Sequence, residues 1–543
     1  MADLWVGIGI ILFLVILVIA IAVGVLVSKK KADPSSTTSS TSTSSTTGVQ
    51  HVSSASVPSY AQGTWLDPST WYDTTGLNTT FTNDTVGGLS VMGLNSSWND
   101  NTRANANTPP LNSQWKYGSQ VIRGINLGGW LSIEPFISPS LFDQFPSSQG
   151  VIDEYTLCQT LGPMKAKSVI EQHYATFITE QDFAAIQAAG FDHVRIPYSY
   201  WAVTTYPGDP YVANISWRYL LRGLEWARKF GIRVNLDLHG LPGSQNGWNH
   251  SGHQGVIGWL NGTDGQLNAQ RSLSIHQQLT TFFAQPRYAN LVTMYGLVNE
   301  PRMVALQTSD VIAWSESAIA IVRSSGMPNS TIIVIGDGFL GLANWQGLMT
   351  GYNNLLLDAH QYVVFNNDQL ALAHSPKIDF ACQGWAQQTN LSMNPSTGFG
   401  SFLCGEWSQA DTDCQMYLNN VNVGSRWEGT LNMGTLSTSV LTPTCPTKNS
   451  PRCDCDNAVA DPSTYSSAYK QWLLTFAEAQ MQSYELGWGW FYWTWTTETA
   501  TQWSYKAGMA AGILPTNVQA KRAFNCDTMQ VPDFGAMGLS ETY

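Results

Sequence analysis

Short apolar runs alternate with amphipathic segments along most of the chain beyond residue 121. The runs have the length of buried β-strands, and the segments between them carry apolar residues at helical spacing. This alternation is typical of a parallel sheet with helices packed outside it. The predicted strands are Val121–Leu127, His193–Pro197, Ile232–His239, Val292–Val298, Thr331–Ile335, Leu355–His360, Phe402–Gly405 and Trp488–Trp495.

Three of the intervening helices have distinct sequence signals. The first begins at a capping pattern, Thr179–Asp182, and ends before Gly190. The second and third carry one apolar stripe each, over 217–231 and 469–476. Repeated strand–helix units of this kind predict a (β/α)8 TIM barrel. A doubly wound open sheet is the alternative, but no G-x-G-x-x-G motif follows the first strand.

Polar residues close most of the predicted strands. One such residue alone is more typical of a capped strand or a satisfied buried histidine, but their recurrence points to a shared site. In a TIM barrel the working residues leave the carboxyl ends of the strands, so we expect these side chains to converge on one mouth. They are Glu134, Arg195, His239, Asn299, Glu300, His360, Tyr362, Glu406 and Trp493.

Two acids of this set suggest a reaction. Glu300, in GLVNEP, and Glu406, in CGEWS, follow different strands and would face each other across the mouth. Glycoside hydrolysis needs one protonated carboxylic acid and one ionised carboxylate in this arrangement. Arg195 is expected to keep Glu406 ionised, whereas burial and a negative neighbour are expected to raise the pKa of Glu300.

Composition narrows the choice of partner. The formal net charge is −12 and only 12% of the residues are charged, so the chain offers no basic surface for nucleic acid. An uncharged partner is expected. Aromatic residues make up 12% of the chain and include 22 Trp, whose flat faces stack on sugar rings as well as fill cores.

An uncharged, strongly apolar segment runs from Leu4 to Val27. It is long enough to cross a bilayer core of about 30 Å and predicts one transmembrane helix. A cleavable signal peptide is the alternative, because 20–22 resembles a cleavage site, but the apolar run is long for one and has no basic front. The basic residues Lys29 to Lys31 follow the span, which favours a cytoplasmic main domain.

Other features favour an extracytoplasmic main domain. A pure Ser/Thr tract from Ser35 to Thr47 is typical of a glycosylated stalk, and the 8 cysteines suit an oxidising compartment. A basic cytoplasmic segment ahead of residue 1 would remove the conflict over orientation. Sequons for N-glycosylation occur at Asn78, Asn83, Asn95, Asn214, Asn249, Asn261, Asn329 and Asn390.

Seven ordered motifs resemble glycoside hydrolase family 5, and within it the membrane-anchored type of fungal exo-β-1,3-glucanase. They are RGINLGGWLSIEPF, HVRIP, LDLHGLPGSQNG, NEP, DAHQY, GEWS and the Trp-rich last strand. The resemblance covers about residues 63 to 526 and implies a barrel glycosidase that needs no cofactor or metal.

The resemblance also implies roles for individual residues. Glu300 would be the acid/base, Glu406 the nucleophile, and Asn299 would bind the sugar 2-hydroxyl. Arg195 and Tyr362 would support Glu406. Trp248 and Phe365 would clamp the next sugar, with Trp248 where relatives commonly carry Phe. The terminal glucose site would be lined by Glu134, His239, His360 and Trp493.

The resemblance further implies two disulfides, Cys382 with Cys526 and Cys414 with Cys445. Cys158, Cys404, Cys453 and Cys455 would lie outside that pattern. The sequence Cys453-Asp454-Cys455 is also compatible with a metal site, but no His-rich set accompanies it, and a disulfide-bearing loop is favoured.

Together with the two acids, the resemblance implies a retaining exo-β-1,3-glucosidase that releases glucose from the non-reducing ends of cell-wall β-glucan, with transglycosylation as a variant. A non-catalytic glucan-binding wall protein and a family 5 hydrolase of another β-glucan linkage are the alternatives. We expect a type II plasma-membrane protein with an extracellular catalytic domain and N-linked and O-linked glycans. The predicted segments are a tail 1–3, a transmembrane helix 4–27, a basic flank and stalk 28–58, an irregular extension 59–120 that wraps the barrel, and the (β/α)8 domain 121–543.

Overall fold

The eight predicted strands all form, and they close into a parallel barrel. The computed structural model describes residues 52–64, 67–70, 84–92 and 97–542. A two-stranded hairpin, β1 (Thr85–Val86) and β2 (Leu89–Ser90), precedes the barrel. The barrel strands are β3 (Ile122–Asn126), β4 (His193–Ser199), β5 (Arg233–Gly240), β6 (Val292–Gly296), β7 (Ile332–Gly336), β8 (Leu355–Gln361), β9 (Phe402–Trp407) and β10 (Gly489–Tyr492).

Strand order follows chain order, and β10 pairs with both β3 and β9 to close the ring. The fold prediction of a (β/α)8 barrel is therefore confirmed, and the doubly wound alternative is wrong.

The α-helices of the described residues are α1 (Glu154–Thr176), α2 (Glu180–Ala188), α3 (Ile215–Phe230), α4 (Gly265–Phe283), α5 (Thr308–Ser324), α6 (Asn367–Leu370), α7 (His374–Asp379), α8 (Ala386–Met393), α9 (Ser467–Tyr484) and α10 (Tyr505–Ala511), with a π-helical turn at Phe380–Trp385.

The helix signals in the sequence act as expected. Thr179 and Asp182 form the capping box of α2, so two backbone N–H groups at its start are satisfied by side chains. Helix α3 ends at Gly231, whose φ of 70° lies in the left-handed region that a residue with a side chain rarely adopts.

An apolar cluster fills part of the barrel interior. It comprises Ile122, Met294, Ile332, Val334, Leu356, Leu403 and Phe491, which lie at or near the starts of their strands or within them. A much larger apolar cluster packs the helices against the outside of the strands.

The described part of the extension packs on the barrel helices. Trp217 on α3 donates from Nε1 to the backbone oxygen of Ser90 at 3.0 Å. Asp100 accepts from Arg228 on α3, and Asn105 donates to the backbone oxygen of Gly190 at 3.0 Å. These contacts fasten residues before β3 to the outer surface.

The predicted tail, transmembrane helix and most of the stalk lie outside the described residues. So do the sequons at Asn78, Asn83 and Asn95. Among the helices of the described ranges, none combines the length and apolarity that a membrane crossing requires.

The disulfide pattern confirms one predicted pair and corrects the other. Cys382 is bonded to Cys526, as expected. Cys414 is bonded to Cys455 and not to Cys445, which instead pairs with Cys453. Both cysteines of the Cys453-Asp454-Cys455 sequence are therefore in disulfides, and the loop after β9 is closed by two of them. Cys158 and Cys404 are free and buried.

Candidate active site

A buried arginine organises the mouth of the barrel. Arg195 projects from β4 and is only 2% exposed. Its guanidinium donates to Glu406 Oε1 at 2.7 Å, to Asn299 Oδ1 at 2.7 Å and to Asn126 Oδ1 at 3.0 Å. Asp237 Oδ2 lies 3.1 Å from the same group. The cation is thus held by two carboxylates and two amides, which fixes the side chains of four other strands or strand ends around it.

Glu406, the last residue but one of β9, is held at both oxygens. Arg195 occupies Oε1, and the Tyr362 hydroxyl donates to Oε2 at 3.1 Å. Strand register places Glu406 opposite His360 of β8, whose Nδ1 lies 3.4 Å from Oε2. A carboxylate fixed in this way presents a defined face to the mouth.

Glu300 lies just beyond β6, between Asn299 and Pro301. Its φ of 46° places a non-glycine residue in the left-handed region, which costs on the order of 1 kcal/mol. Two histidines hold its carboxylate: His360 Nδ1 lies 2.6 Å from Oε1, and His250 Nε2 lies 3.1 Å from Oε2.

The sequence-based expectation of a raised Glu300 pKa is wrong for the ligand-free protein. Burial alone would raise this pKa, but the charges and hydrogen bonds of His250 and His360 outweigh burial and hold it well below its usual value. The pKa of His360 is correspondingly raised well above its usual value: burial opposes the shift, and Glu406, Asp358 and Glu300 cause it. In this state the proton resides on the histidine side of the hydrogen bond.

The two acids face each other closely. One carboxylate oxygen of Glu300, one of Glu406 and a ring nitrogen of His360 all lie within 4.8 Å of one another. Retaining glycosidases separate their two carboxyl groups by about 5 to 5.5 Å, whereas inverting enzymes need roughly 6.5 to 9.5 Å to admit a water. The close approach of these oxygens is nearer to the retaining arrangement than to the inverting one.

A second histidine and its aspartate continue the polar wall. His239 lies at the end of β5. Its Nδ1 is 2.7 Å from Asp237 Oδ2, and its Nε2 is 3.4 Å from the amide nitrogen of Asn299. Gln245 ties the two strand ends together, because its amide donates to the backbone oxygens of His239 and Asn299 at 2.7 and 2.8 Å.

Glu134 and Trp493 complete this wall. Burial raises the pKa of Glu134 to about 8, and its Oε1 has no hydrogen-bond partner among the described residues. The ring of Trp493 stacks on His239 with centroids 5.7 Å apart. Gly128 makes room for it, since a Cβ there would lie 2.6 Å from the indole.

The predicted aromatic clamp residues lie on two loops at the mouth. Trp248 packs edge-on against Phe339 at 5.2 Å, and the guanidinium of Arg302 lies over its ring at 5.5 Å. Phe365 is 45% exposed and packs against Tyr362 at 5.5 Å. Both rings therefore have neighbours that hold them, and Phe365 presents area to solvent.

Four polar residues of the site were not predicted. Asn126, Asp237 and Asp358 lie inside strands, and Asp237 and Asp358 each precede a predicted histidine by two positions, which places both members on one strand face. That period-two spacing was the available signal. His250 lies two residues beyond Trp248, in the 3₁₀ turn Asn249–Ser251 and not at a strand exit, so no strand pattern indicated it.

A parallel barrel with two facing carboxylates at the carboxyl ends of its strands has the arrangement that glycosidases use. Residues 160–421 match the family model described as Cellulase (glycosyl hydrolase family 5), and this segment includes Glu300 and Glu406. Residues 160–421 are therefore similar to family 5 glycosyl hydrolases.

Curated relatives are similar over most of this chain. A protein of Aspergillus clavatus named "Probable glucan 1,3-beta-glucosidase D" is 56% identical over 91% of the chain and 58% of its own length. One of Aspergillus terreus with the same name is 56% identical over the same shares. The chain thus spans about 58% of the length of these relatives. A solved rutinosidase from Aspergillus niger is similar in fold, with a TM-score of 0.52 and 20% identity over 74% of this chain and 99% of that one.

We predict that His360→Gln changes how stability depends on pH. The folded-state pKa of His360 is raised, so its contribution is complete below the unfolded value of 6.5 and is lost as the pH rises towards the folded pKa. The folded-state pKa of Glu300 is lowered, so its contribution is complete above 4.5 and is lost as the pH falls. The Tm advantage of the wild type over the variant should be largest between pH 4.5 and 6.5.

His276→Gln supplies a control of opposite sign. Burial lowers the pKa of His276, away from the mouth, to about 4, so its protonation on unfolding destabilises the wild type at acid pH. The advantage of the wild type over this variant should increase as the pH rises to 6.5. A His360 profile with the same sign as the His276 profile would contradict the assignment of charge at the site.

Proposed function

We propose that this protein is a retaining, exo-acting β-1,3-glucosidase that releases glucose from the non-reducing ends of cell-wall β-glucan. The observation that carries the proposal is the pair of carboxylates, Glu300 and Glu406, with oxygens within 4.8 Å in different electrostatic surroundings. The names of the curated relatives support the β-1,3-glucan substrate.

Glu406 acts as the nucleophile in this proposal. Arg195 and Tyr362 fix its two oxygens, so one lone pair can be aligned with the anomeric carbon without further rearrangement. Attack forms a glucosyl ester on Glu406 and breaks the bond to the leaving oxygen. Asn299, fixed by Arg195, is placed to bind the 2-hydroxyl of the same sugar, a contact that strengthens in the transition state.

Glu300 acts first as acid and then as base. His360 supplies the proton, because its Nδ1 lies 2.6 Å from Glu300 Oε1. Glu300 passes that proton to the leaving oxygen and is then ionised. It next takes a proton from water, whose oxygen attacks the anomeric carbon and frees Glu406; an acceptor sugar in place of water gives transglycosylation.

In this proposal the surrounding side chains hold the two sugars on either side of the bond that is cleaved. Glu134, His239 and Trp493 line the terminal glucose site, and the raised pKa of Glu134, about 8, allows its carboxyl to donate to a hydroxyl at neutral pH. Trp248 and Phe365 stack on the acceptor-side sugar. The exposed face of Phe365 suits this role because ring stacking needs an accessible apolar surface.

We predict that Glu406→Gln abolishes hydrolysis of laminari-oligosaccharides, since an amide is not a competent nucleophile. Glu300→Gln should lower kcat on the same substrates by about 10²- to 10⁴-fold, the usual range for losing a general acid. Glu300→Gln should lose less in forming the glucosyl-enzyme from aryl glucosides with good leaving groups, which need no protonation. Product analysis and kinetics of both variants measure these effects.

Three outcomes would contradict the proposal. Full activity of Glu406→Gln would exclude its role as nucleophile. Glucan binding without any turnover by the wild type would favour a wall-binding protein, and cleavage confined to other β-glucan linkages or to internal bonds would replace the exo-β-1,3 assignment. Thr438→Ala, on the exposed loop after β9, serves as a matched surface control and should retain activity.

We also propose that residues 4–27 anchor the protein in the plasma membrane with the catalytic domain outside. Three disulfides and the exposed sequons Asn261, Asn329 and Asn390 support an extracytoplasmic domain. The Asn249 sequon differs, because that residue is 6% exposed and its amide donates to Asn420 Oδ1 at 3.1 Å, beside Trp248 and His250.

We predict that full-length protein stays in the membrane fraction after carbonate extraction and that deletion of residues 4–27 releases it. Protease added to intact cells should digest the catalytic domain, and enzymatic removal of glycans should reduce the mass of this domain. A domain protected inside the cell, or a chain whose amino-terminal segment has been removed in the mature protein, would contradict the anchor.

A further inference from the structure

Two strands of the barrel carry the same Asp-x-His pattern, but the two aspartates have different partners. On β5, Asp237 Oδ2 lies 2.7 Å from His239 and 3.1 Å from Arg195, so its charge is shared with a permanent cation. On β8, Asp358 Oδ2 lies 3.7 Å from His360 Nε2. Asp358 Oδ1 is buried and has no hydrogen-bond partner among the described residues.

The fold makes specific room for Asp358. A Cβ on Gly405, the residue before Glu406, would lie 2.0 Å from Asp358 Oδ1, so only glycine fits there without displacing the carboxylate. Asp358 lines a small cavity in the barrel together with Asn235, Glu300 and His360. Asn235 is 1% exposed, and both polar atoms of its side chain also lack partners among the described residues.

The other ring nitrogen of His360 faces both acids of the proposed reaction. Nδ1 lies 2.6 Å from Glu300 Oε1 and 3.4 Å from Glu406 Oε2. A neutral imidazole carries one proton, and only the imidazolium donates from both nitrogens. A negative charge next to Nε2 stabilises the imidazolium, in which Nδ1 also carries a proton and directs it at the acids.

We propose that Asp358 is a positioning residue that keeps Nε2 of His360 protonated, so that the Nδ1–H of an imidazolium is directed at Glu300 and Glu406. The inference rests on the proposed function, because it concerns how the acid of that reaction obtains its proton. At 3.7 Å the contact is longer than a hydrogen bond, and Asp358 acts through its charge.

The proton balance follows directly. Before the reaction His360 is an imidazolium and Glu300 is ionised. As the glycosidic bond breaks, Nδ1–H passes to Glu300 Oε1, and Glu300 gives a proton to the leaving oxygen, so the imidazole becomes neutral and Glu300 remains ionised. In the second half Glu300 takes a proton from water and returns one to His360 as the ester on Glu406 is cleaved.

Several strands contribute charge around His360. Burial lowers the pKa of this histidine, whereas Glu406, Asp358 and Glu300 raise it to well above its usual value. Asp237 and Asp337 also interact with it, and Arg195 and His250 offset part of the negative charge on Glu406 and Glu300. By contrast the pKa of His239 is lowered, mainly by burial, although Asp237 adjoins it.

The test is the pH profile of kcat/KM for Asp358→Asn, which keeps the shape of the side chain and removes its charge. The alkaline limb should move to lower pH by about one unit, the usual effect of removing one nearby opposite charge. Asp379→Asn, on the exposed end of α7, is the control and should leave the profile unchanged. An unshifted alkaline limb in a folded, active Asp358→Asn protein would overturn the proposal.

A second measurement does not require activity. Histidine ¹⁵N NMR of the full-length protein, with His360→Gln to assign the signal, should show both nitrogens of His360 protonated at neutral pH. Asp358→Asn should lower by about one unit the pH at which the ring loses its second proton. A neutral His360 in the wild type would overturn the proposal even if Asp358→Asn fails to fold. Failure of the proposed function would appear separately, as full activity of Glu406→Gln.

Discussion

The buried guanidinium of Arg195 is the constraint on which the site depends. A cation that is 2% exposed must be compensated inside the protein, and Glu406, Asp237 and two amides do so. Those partners come from β3, β5, β9 and the end of β6, so one charge sets the positions of side chains that are far apart in the chain. Strand register places Asn126 of β3 directly beside Arg195 of β4, which brings one of these partners within reach.

Charge balance around the arginine also explains the histidines. The mouth carries more carboxylates than permanent cations. Burial lowers the pKa values of His250 and His360, but the neighbouring acids outweigh it and raise them, which favours the protonated histidines. The same two histidines lower the pKa of Glu300, which favours its ionised form with a proton donor 2.6 Å away. A carboxylate that receives its proton from a neighbouring imidazolium does not need a raised pKa of its own. It can return a proton to that imidazole after each cycle.

The sequence predicted the barrel well because strand and helix periods are local properties, and each apolar run had its own boundary signals. It located most of the mouth because strand exits converge in a parallel barrel. His250 was not predicted, since a residue in a connection between elements has no such register. Asp237 and Asp358 were not predicted because they lie inside apolar strands and not at the strand exits. The predicted direction of the Glu300 pKa shift was wrong because burial can be inferred from sequence, whereas the contacts of two histidines with this carboxylate cannot. The pairing of Cys414 with Cys455 depended on the path of the loop after β9, which local patterns do not define.

The central claim is that Glu406 forms a covalent bond to the sugar while Glu300 transfers the proton. A 2-deoxy-2-fluoro-β-glucoside with an activated leaving group slows both steps and lets the glucosyl-enzyme accumulate, so peptide mapping by mass spectrometry can locate it. The account predicts one fluoroglucosyl group per active chain, attached to the peptide that contains Glu406, and none on Glu406→Gln. A label on Glu300 or elsewhere, or turnover of natural substrate that yields the α-anomer first, would contradict it.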